Sequence, residues 1–273
     1  MKQVIALIYD FDGTLSPRNM QEYDYLPHVG IKPAEFWAAA NKRAVDNNAD
    51  TILAYMTLML EKCSDSQCVQ LTREKFAAYG KNIDFFPGVE DWFSRINRYV
   101  NSLGFIAQHY VLSSGVKEMI AGSAIAHNFE EIFACSYIYD ERGVAIAPGV
   151  AINYTGKTQF LFRINKGVHK VYDNSVINDY IPKDERPVPF TNMIYFGDGL
   201  TDVPCMKLVK DQGGHSISVY KPGKGKAEAD RLFKENRVNF TAEADYEENA
   251  AVEIIVKAII DKISADVRLA KLV

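Results

Sequence analysis

Two aspartates two positions apart, Asp10 and Asp12, stand directly after the apolar run Val4–Tyr9. A carboxylate placed there can attack an electrophile such as phosphorus, making a covalent intermediate that water then breaks. A second carboxylate beside it can protonate the leaving group and later take a proton from water. Gly13 lets the chain turn tightly next to a ligand. The same residues also suit a plain turn, because Asp-Gly is a common turn pair. Asp198 and Asp202 add two carboxylates, with Gly197 and Gly199 around the first. Hard oxygen donors of this kind suit Mg²⁺, which takes a couple of carboxylates together with waters and substrate phosphate. A metal would also relieve repulsion among clustered anions and offset an anionic substrate. Thr201 or Asp202 could equally cap a helix. Ser113, Ser114 and Gly115 offer a hydroxyl and backbone N–H groups at a helix start, an anion cradle. Lys157, in Thr155-Gly156-Lys157-Thr158, opens another helix and could neutralise a phosphoryl oxygen.

Buried strands are needed to hold such groups together. Val4–Tyr9, Gln108–Leu112 and Asn192–Phe196 are short apolar runs rich in β-branched or aromatic residues, the pattern of parallel strands covered on both faces. Weaker strands are expected at Ala134–Tyr139, Ser216–Val219 and Val238–Phe240. Helical periodicity lies between them at Val89–Val100, Lys117–His127, Thr158–Ile164, Val203–Val209, Ala227–Phe233 and Glu247–Ile263. This alternation implies an α/β fold with a doubly wound parallel sheet. Ligands of such sheets bind beyond the carboxyl ends of the strands, where the polar turns at Asp10, Ser113 and Asp198 all fall. Residues 17–84 break the alternation and read as helices at Pro33–Asn47, Asp50–Lys62 and Leu71–Tyr79. We therefore expect a catalytic core of residues 1–16 and 85–273, with 17–84 as a small helical cap domain. Val171–Thr191, with three prolines and two asparagines, reads as a long loop.

Composition narrows the classes. The chain has 273 residues, 48% hydrophobic and 24% charged, which excludes collagen-like, disordered and coiled-coil proteins. A formal charge of −4 gives no bulk attraction to a phosphate backbone or an anionic membrane, so neither nucleic acid nor membrane is expected as a partner. Cys63, Cys68, Cys135 and Cys205 form no disulfide framework or zinc spacing and read as core or incidental thiols. The N-terminal apolar run is too short for a signal peptide, and no stretch approaches a membrane span, so a cytoplasmic protein is expected. Lys221, Lys224 and Lys226 read as a solvated loop. The five histidines show no metal-ligand spacing.

In order along the chain, Asp10-Phe11-Asp12-Gly13-Thr14-Leu15, Val111-Leu112-Ser113-Ser114-Gly115, Lys157 and Gly197-Asp198-Gly199-Leu200-Thr201-Asp202 resemble the four motifs of the haloacid dehalogenase superfamily. The pattern is most similar to its phosphoserine-phosphatase-like branch, whose core is Rossmann-like and whose helical cap lies between the first two motifs. The resemblance implies that Asp10 is a nucleophile forming an aspartyl-phosphate and Asp12 the general acid and base. It implies Mg²⁺ held by Asp10, the Asp12 carbonyl and Asp198, with Asp202 assisting directly or from behind. Ser113 would bind the transferring phosphoryl group, and Lys157 would pair with it and with the nucleophile; Lys166 is the rival lysine. Ser114 and Gly115 join as substrate-binding positions. Arg18 and Arg43 of the cap are expected to contact substrate, with Gln21, Tyr23, Tyr25 and Tyr55 as further candidates. Dehalogenases of the superfamily lack an acid at position 12 and its ion pumps carry threonine there, so Asp12 implies a phosphatase or a phosphomutase. Phosphoserine phosphatases carry a glutamate where this chain has Asn19, which argues against that substrate. The expectation is a Mg²⁺-dependent phosphatase of a small phosphorylated metabolite. The alternatives are a phosphomutase and a catalytically idle phosphate-binding module.

Overall fold

A computed structural model describes residues 3–65 and 70–272. Cys68 lies outside the described residues; Cys63, Cys135 and Cys205 are buried. The chain begins with β1 (Val4–Tyr9), then a 3-10 turn at Met20–Glu22 and the helices α1 (Tyr25–Val29), α2 (Pro33–Asn47), α3 (Thr51–Asp65) and α4 (Arg73–Gly80). Next come α5 (Val89–Ser102), β2 (Ile106–Val116), α6 (Lys117–Ala121), β3 (Glu131–Tyr139), β4 (Ala145–Val150) and α7 (Tyr154–Lys166). The remainder is β5 (Met193–Gly197), α8 (Val203–Asp211), β6 (His215–Tyr220), α9 (Lys226–Lys234), β7 (Phe240–Glu243) and α10 (Ala251–Ala270).

The seven strands form one sheet in the order β4-β3-β2-β1-β5-β6-β7. From β1 the chain builds outward through β2 and β3, then returns across the sheet to β5 on the other side of β1. The switch point is therefore between β1 and β5, both of which are buried along almost their whole length. All pairings are parallel except β3 with β4, an antiparallel edge hairpin. α5 covers one face because Val89, Trp92, Phe93, Ile96 and Val100 recur at helical spacing and are all buried. Glu90 and Asp91 in its first turn complement the helix dipole. Trp92 Nε1–H donates to the Tyr9 hydroxyl (2.9 Å), which meets His109 Nδ1 at 3.0 Å, joining α5, β1 and β2 inside the core.

Between β1 and α5 the described residues contain helices and no strand. α4 packs closely on α6: a Cβ at Gly122 would stand 1.9 Å from the Ala77 carbonyl oxygen, an approach only glycine permits. Phe76 stacks on Tyr137 with ring centroids 4.9 Å apart, and the Tyr137 hydroxyl donates to the Met56 carbonyl (3.1 Å). The helical segment is thus joined to β3 by buried contacts as well as by its two chain connections.

The long connection after α7 lies at the amino ends of the strands. α7 begins beside the end of β1 and runs about 20 Å away from it at 1.5 Å per residue. The connection then feeds β5, whose first residue pairs with Ala6. Buried Arg163 pins it by donating to the Lys170, Val171 and Asp173 carbonyls and to Asn174 Oδ1, at 2.7–3.0 Å. Lys166 Nζ donates to the Ile177 and Asp179 carbonyls, both at 2.6 Å. No helix among the described residues is long and apolar enough to cross a membrane.

Candidate active site

Parallel pairing sets Tyr9 beside Phe196, so Asp10 and Asp198 emerge from adjacent strand ends. The Asp10 amide donates to the Phe196 carbonyl (2.9 Å), and the Leu15 and Ser16 amides fold back onto the Phe11 carbonyl. Gly13 sits in this turn at φ +82°, and a Cβ on it would lie 2.1 Å from Asp198 Oδ2. Backbone conformation and the approach of the second acidic loop both require glycine there. The Thr14 hydroxyl donates to Asp198 Oδ1 (3.3 Å), and Tyr246 donates to the Thr14 carbonyl (2.8 Å).

Lys157, in the first turn of α7, has no exposed surface. Its Nζ stands 3.1 Å from Asp10 Oδ1 and donates to Asp202 Oδ1 at 2.7 Å. Asp202 Oδ1 also accepts the Tyr195 hydroxyl (2.8 Å), and its Oδ2 accepts the Gly199 N–H (3.3 Å). Asp202 is therefore an internal anchor for the lysine. Burial opposes a charge on Lys157, but the Asp10 and Asp202 carboxylates outweigh it and hold its pKa above the ordinary value. Burial and the Asp202 charge push Asp10 up to about 6, against the opposing pull of Lys157. Burial, followed by the Asp10 charge, also raises Asp12 and Asp198 well above the usual carboxylate range.

One oxygen from each of Asp10, Asp198 and Asp202 lies within 4.8 Å of the others. Three clustered hard oxygens, two of them on carboxylates whose charge burial disfavours, fit a divalent cation such as Mg²⁺. Of the three, Asp198 receives only the Thr14 hydroxyl among the described side chains, whereas Asp202 is already engaged on both oxygens. The Asp12 side chain is outside this cluster and accepts the Met20 N–H at 3.0 Å. Met20 also fills the space beside Gly115, with its sulfur accepting the Val116 N–H (3.2 Å). Ser113 is buried at the irregular end of β2 and its Oγ accepts the Gly115 N–H (3.0 Å), which leaves its hydroxyl hydrogen for an incoming oxygen.

A cavity of about 480 Å³ lies over these groups. Asp10, Asp12, Ser113, Ser114, Gly115 and Asp198 line it from the strand ends. Asn19, Gln21 and Tyr55 line it from the helical segment, with Tyr55 donating its hydroxyl to the Ser114 carbonyl (2.7 Å). Arg18 and Arg43 are not brought to the cavity. Arg18 pairs with Asp84 (3.4 Å) and lies over the Tyr23 ring, while Arg43 grips Glu61 (2.9 Å for one of its two bonds). Tyr23 bonds Ser16, and Tyr25 donates to the Met59 carbonyl (2.6 Å), so both are structural. Lys166 is at the far end of α7, held by loop carbonyls. Sequence reasoning missed Thr14, Met20, Trp37, Asn41, Ile52 and Tyr195. Trp37, Ala40 and Asn41 share one helical face by their spacing, the one signal that could have grouped them.

A family model described as haloacid dehalogenase-like hydrolase matches residues 7–207. The chain belongs to that family. The matched span takes in all the aspartates above together with Ser113 and Lys157. An uncharacterized protein of Borreliella burgdorferi is 29% identical over 271 residues, covering 90% of this chain and 92% of the relative. A phosphoserine phosphatase solved with an analogue of a phospho-aspartyl intermediate superposes with TM-score 0.53 at 15% identity, covering 94% of this chain and 99% of that one. A substrate-bound phosphoserine phosphatase gives TM-score 0.55 at 13% identity with the same coverage. A probable phosphoserine phosphatase of Vibrio cholerae gives 0.58 at 11% identity, covering 97% of this chain and 67% of that chain. At such identities the likeness is one of fold: a haloacid dehalogenase-like hydrolase with phosphoserine-phosphatase-like architecture.

Proposed function

We propose that this hydrolase is a Mg²⁺-dependent phosphatase of a small phosphorylated metabolite, with residues 17–84 as the cap over its site. The observation that carries the reading is Asp10, which faces the cavity 3.1 Å from Lys157 and clusters with Asp198 and Asp202 within 4.8 Å. An Asp10 carboxylate oxygen attacks phosphorus and forms an aspartyl-phosphate as the bond from phosphorus to the leaving oxygen breaks. Asp12 gives its proton to that leaving oxygen. Asp12 then takes a proton from the water that attacks phosphorus, which releases inorganic phosphate and restores Asp10. Ser113 donates its hydroxyl to a phosphoryl oxygen, and Lys157 orients Asp10 while its own place is fixed by Asp202. Mg²⁺, held by Asp10 and Asp198 with the Asp12 carbonyl and supported by Asp202, would supply positive charge against the transferring group. The structural neighbour carrying a phospho-aspartyl analogue supports the choice of a covalent aspartate route.

The test is phosphate release from para-nitrophenyl phosphate with Mg²⁺ and with EDTA, for the wild type and Asp10→Ala. Metal-dependent turnover that falls to background in the variant is expected. Product analysis with sugar phosphates covers the mutase alternative: an isomer with little free phosphate would overturn hydrolysis.

A further inference from the structure

The cavity wall facing away from the aspartates is built without charge. Asn19, Gln21, Trp37, Asn41, Ile52 and Tyr55 form much of it, and among the described residues no lysine, arginine, histidine, aspartate or glutamate of the helical segment lines it. Nearby ions are engaged elsewhere: Arg18 with Asp84, Arg43 with Glu61. Glu22 Oε1 accepts both the Trp37 indole N–H and an Asn19 amide N–H, each at 2.8 Å. The indole has one hydrogen, so Trp37 offers the cavity its ring and not a donor. That ring meets Tyr55 edge-on with centroids 5.7 Å apart, and the Tyr55 hydroxyl is committed to Ser114.

Two polar atoms on lining residues have no hydrogen-bond partner among the described residues. They are Gln21 Oε1, on a side chain whose residue is 1% exposed, and Ser114 Oγ. Buried polar atoms without partners are rare enough to need a reason. Here one comes from the helical segment and the other from the end of β2, and their residues line the same space. Either oxygen can accept a hydrogen bond from a hydroxyl. A carboxylate on the leaving group would bring a second anion beside Asp12 and Asp198 with no cation on that wall to receive it. An ammonium would meet no carboxylate lining that wall, since Glu22 stands behind it with one oxygen taken by Trp37 and Asn19.

We infer that the leaving group is an uncharged alcohol bearing further hydroxyls, a polyol or sugar, gripped by Gln21 and Ser114 against the Trp37 face. The inference rests on the phosphatase reading above and names its substrate class. Hydroxyl hydrogens satisfy the two orphan acceptors, and the C–H face of a polyol packs on the aromatic ring.

Calorimetric binding to the Asp10→Asn protein in Mg²⁺ ranks four esters without consuming them: glycerol 3-phosphate, phosphoserine, 3-phosphoglycerate and phosphoethanolamine. Glycerol 3-phosphate is expected to bind at least about tenfold tighter than each of the charged-alcohol esters. Gln21→Leu in the same background should weaken glycerol 3-phosphate by about tenfold and the other three far less, closing the gap. Equal or tighter binding of any charged-alcohol ester, undetectable binding of glycerol 3-phosphate, or uniform weakening of all four by Gln21→Leu would overturn the inference. Wild-type hydrolysis of para-nitrophenyl phosphate is followed in parallel. Release of phosphate from neither this ester nor glycerol 3-phosphate would remove the phosphatase reading, while the affinity ranking still decides the chemistry of the cavity.

Discussion

Lys157 is the only cation bonded to Asp10 and Asp202 among the described residues, and it has no exposed surface. Removing a partner from a buried ion pair leaves an uncompensated charge, so Lys157→Met should cost about 3–5 kcal/mol in urea unfolding. Adding Asp202→Asn to that variant should recover part of the loss, because one of the stranded anions goes with it. Gly13→Ala meets two obstacles at once, a left-handed φ and the Asp198 carboxylate, and should lower the melting temperature and abolish phosphate release. That Asp10, Asp12, Ser113 and Asp198 gather at one cavity was legible because each sits in a short motif at the end of an apolar run. Arg18 and Arg43 misled because their acidic partners, Asp84 and Glu61, lie 66 and 18 positions away, beyond what any local pattern shows. Tyr195 belongs to a strand that is legible as core, but its hydroxyl also reaches Asp202, a contact no local pattern shows.

At the scale of elements, His109 joins β2 to β1 and α5 through Tyr9 and Asn97, and burial pushes its pKa down to about 3. In the unfolded chain it titrates near about 6.5. Between these values the unfolded state binds a proton that the native state refuses. Stability should therefore fall as pH drops below about 6.5, by up to about 1.4 kcal/mol per pH unit, with no contribution above it. Urea midpoints at pH 7 and pH 5 check this: His109→Gln should lose less on acidification than the wild type. Gly122→Ala drives a methyl into the Ala77 carbonyl and should cost about 1–3 kcal/mol by thermal denaturation, loosening α4 from α6. The central strands were legible from their unbroken apolar runs. β4 was not, because only Ala145 of its six residues is buried and Pro148-Gly149 reads as a turn; proline is tolerated there because the strand is an edge. α6 ends at Ala121, short of the expected His127, where Gly122 must pass against α4. α10 starts at Ala251, later than expected, and runs on to Ala270.

For the molecule as a whole, the acidic cluster ties β1 to β5 across the switch point, so a cation bound there stabilises the native sheet and not the unfolded chain. Mg²⁺ at about 100 times its Kd should add about 2.7 kcal/mol and raise the melting temperature, EDTA should reverse it, and Asp198→Asn should not respond. Everything chemical is gathered at one end of the sheet, while the connection between α7 and β5 occupies the other. Lys157 and Asp202 stay 2.7 Å apart although 45 positions separate them, because the added length is spooled out behind the sheet. Tyr172 and Tyr180 on that spool are 81% and 87% exposed. A fluorophore, a tether to a surface or an entire guest domain grafted between them would be carried by the enzyme without hearing from its active site, so the connection is a ready-made mounting point for a reporter.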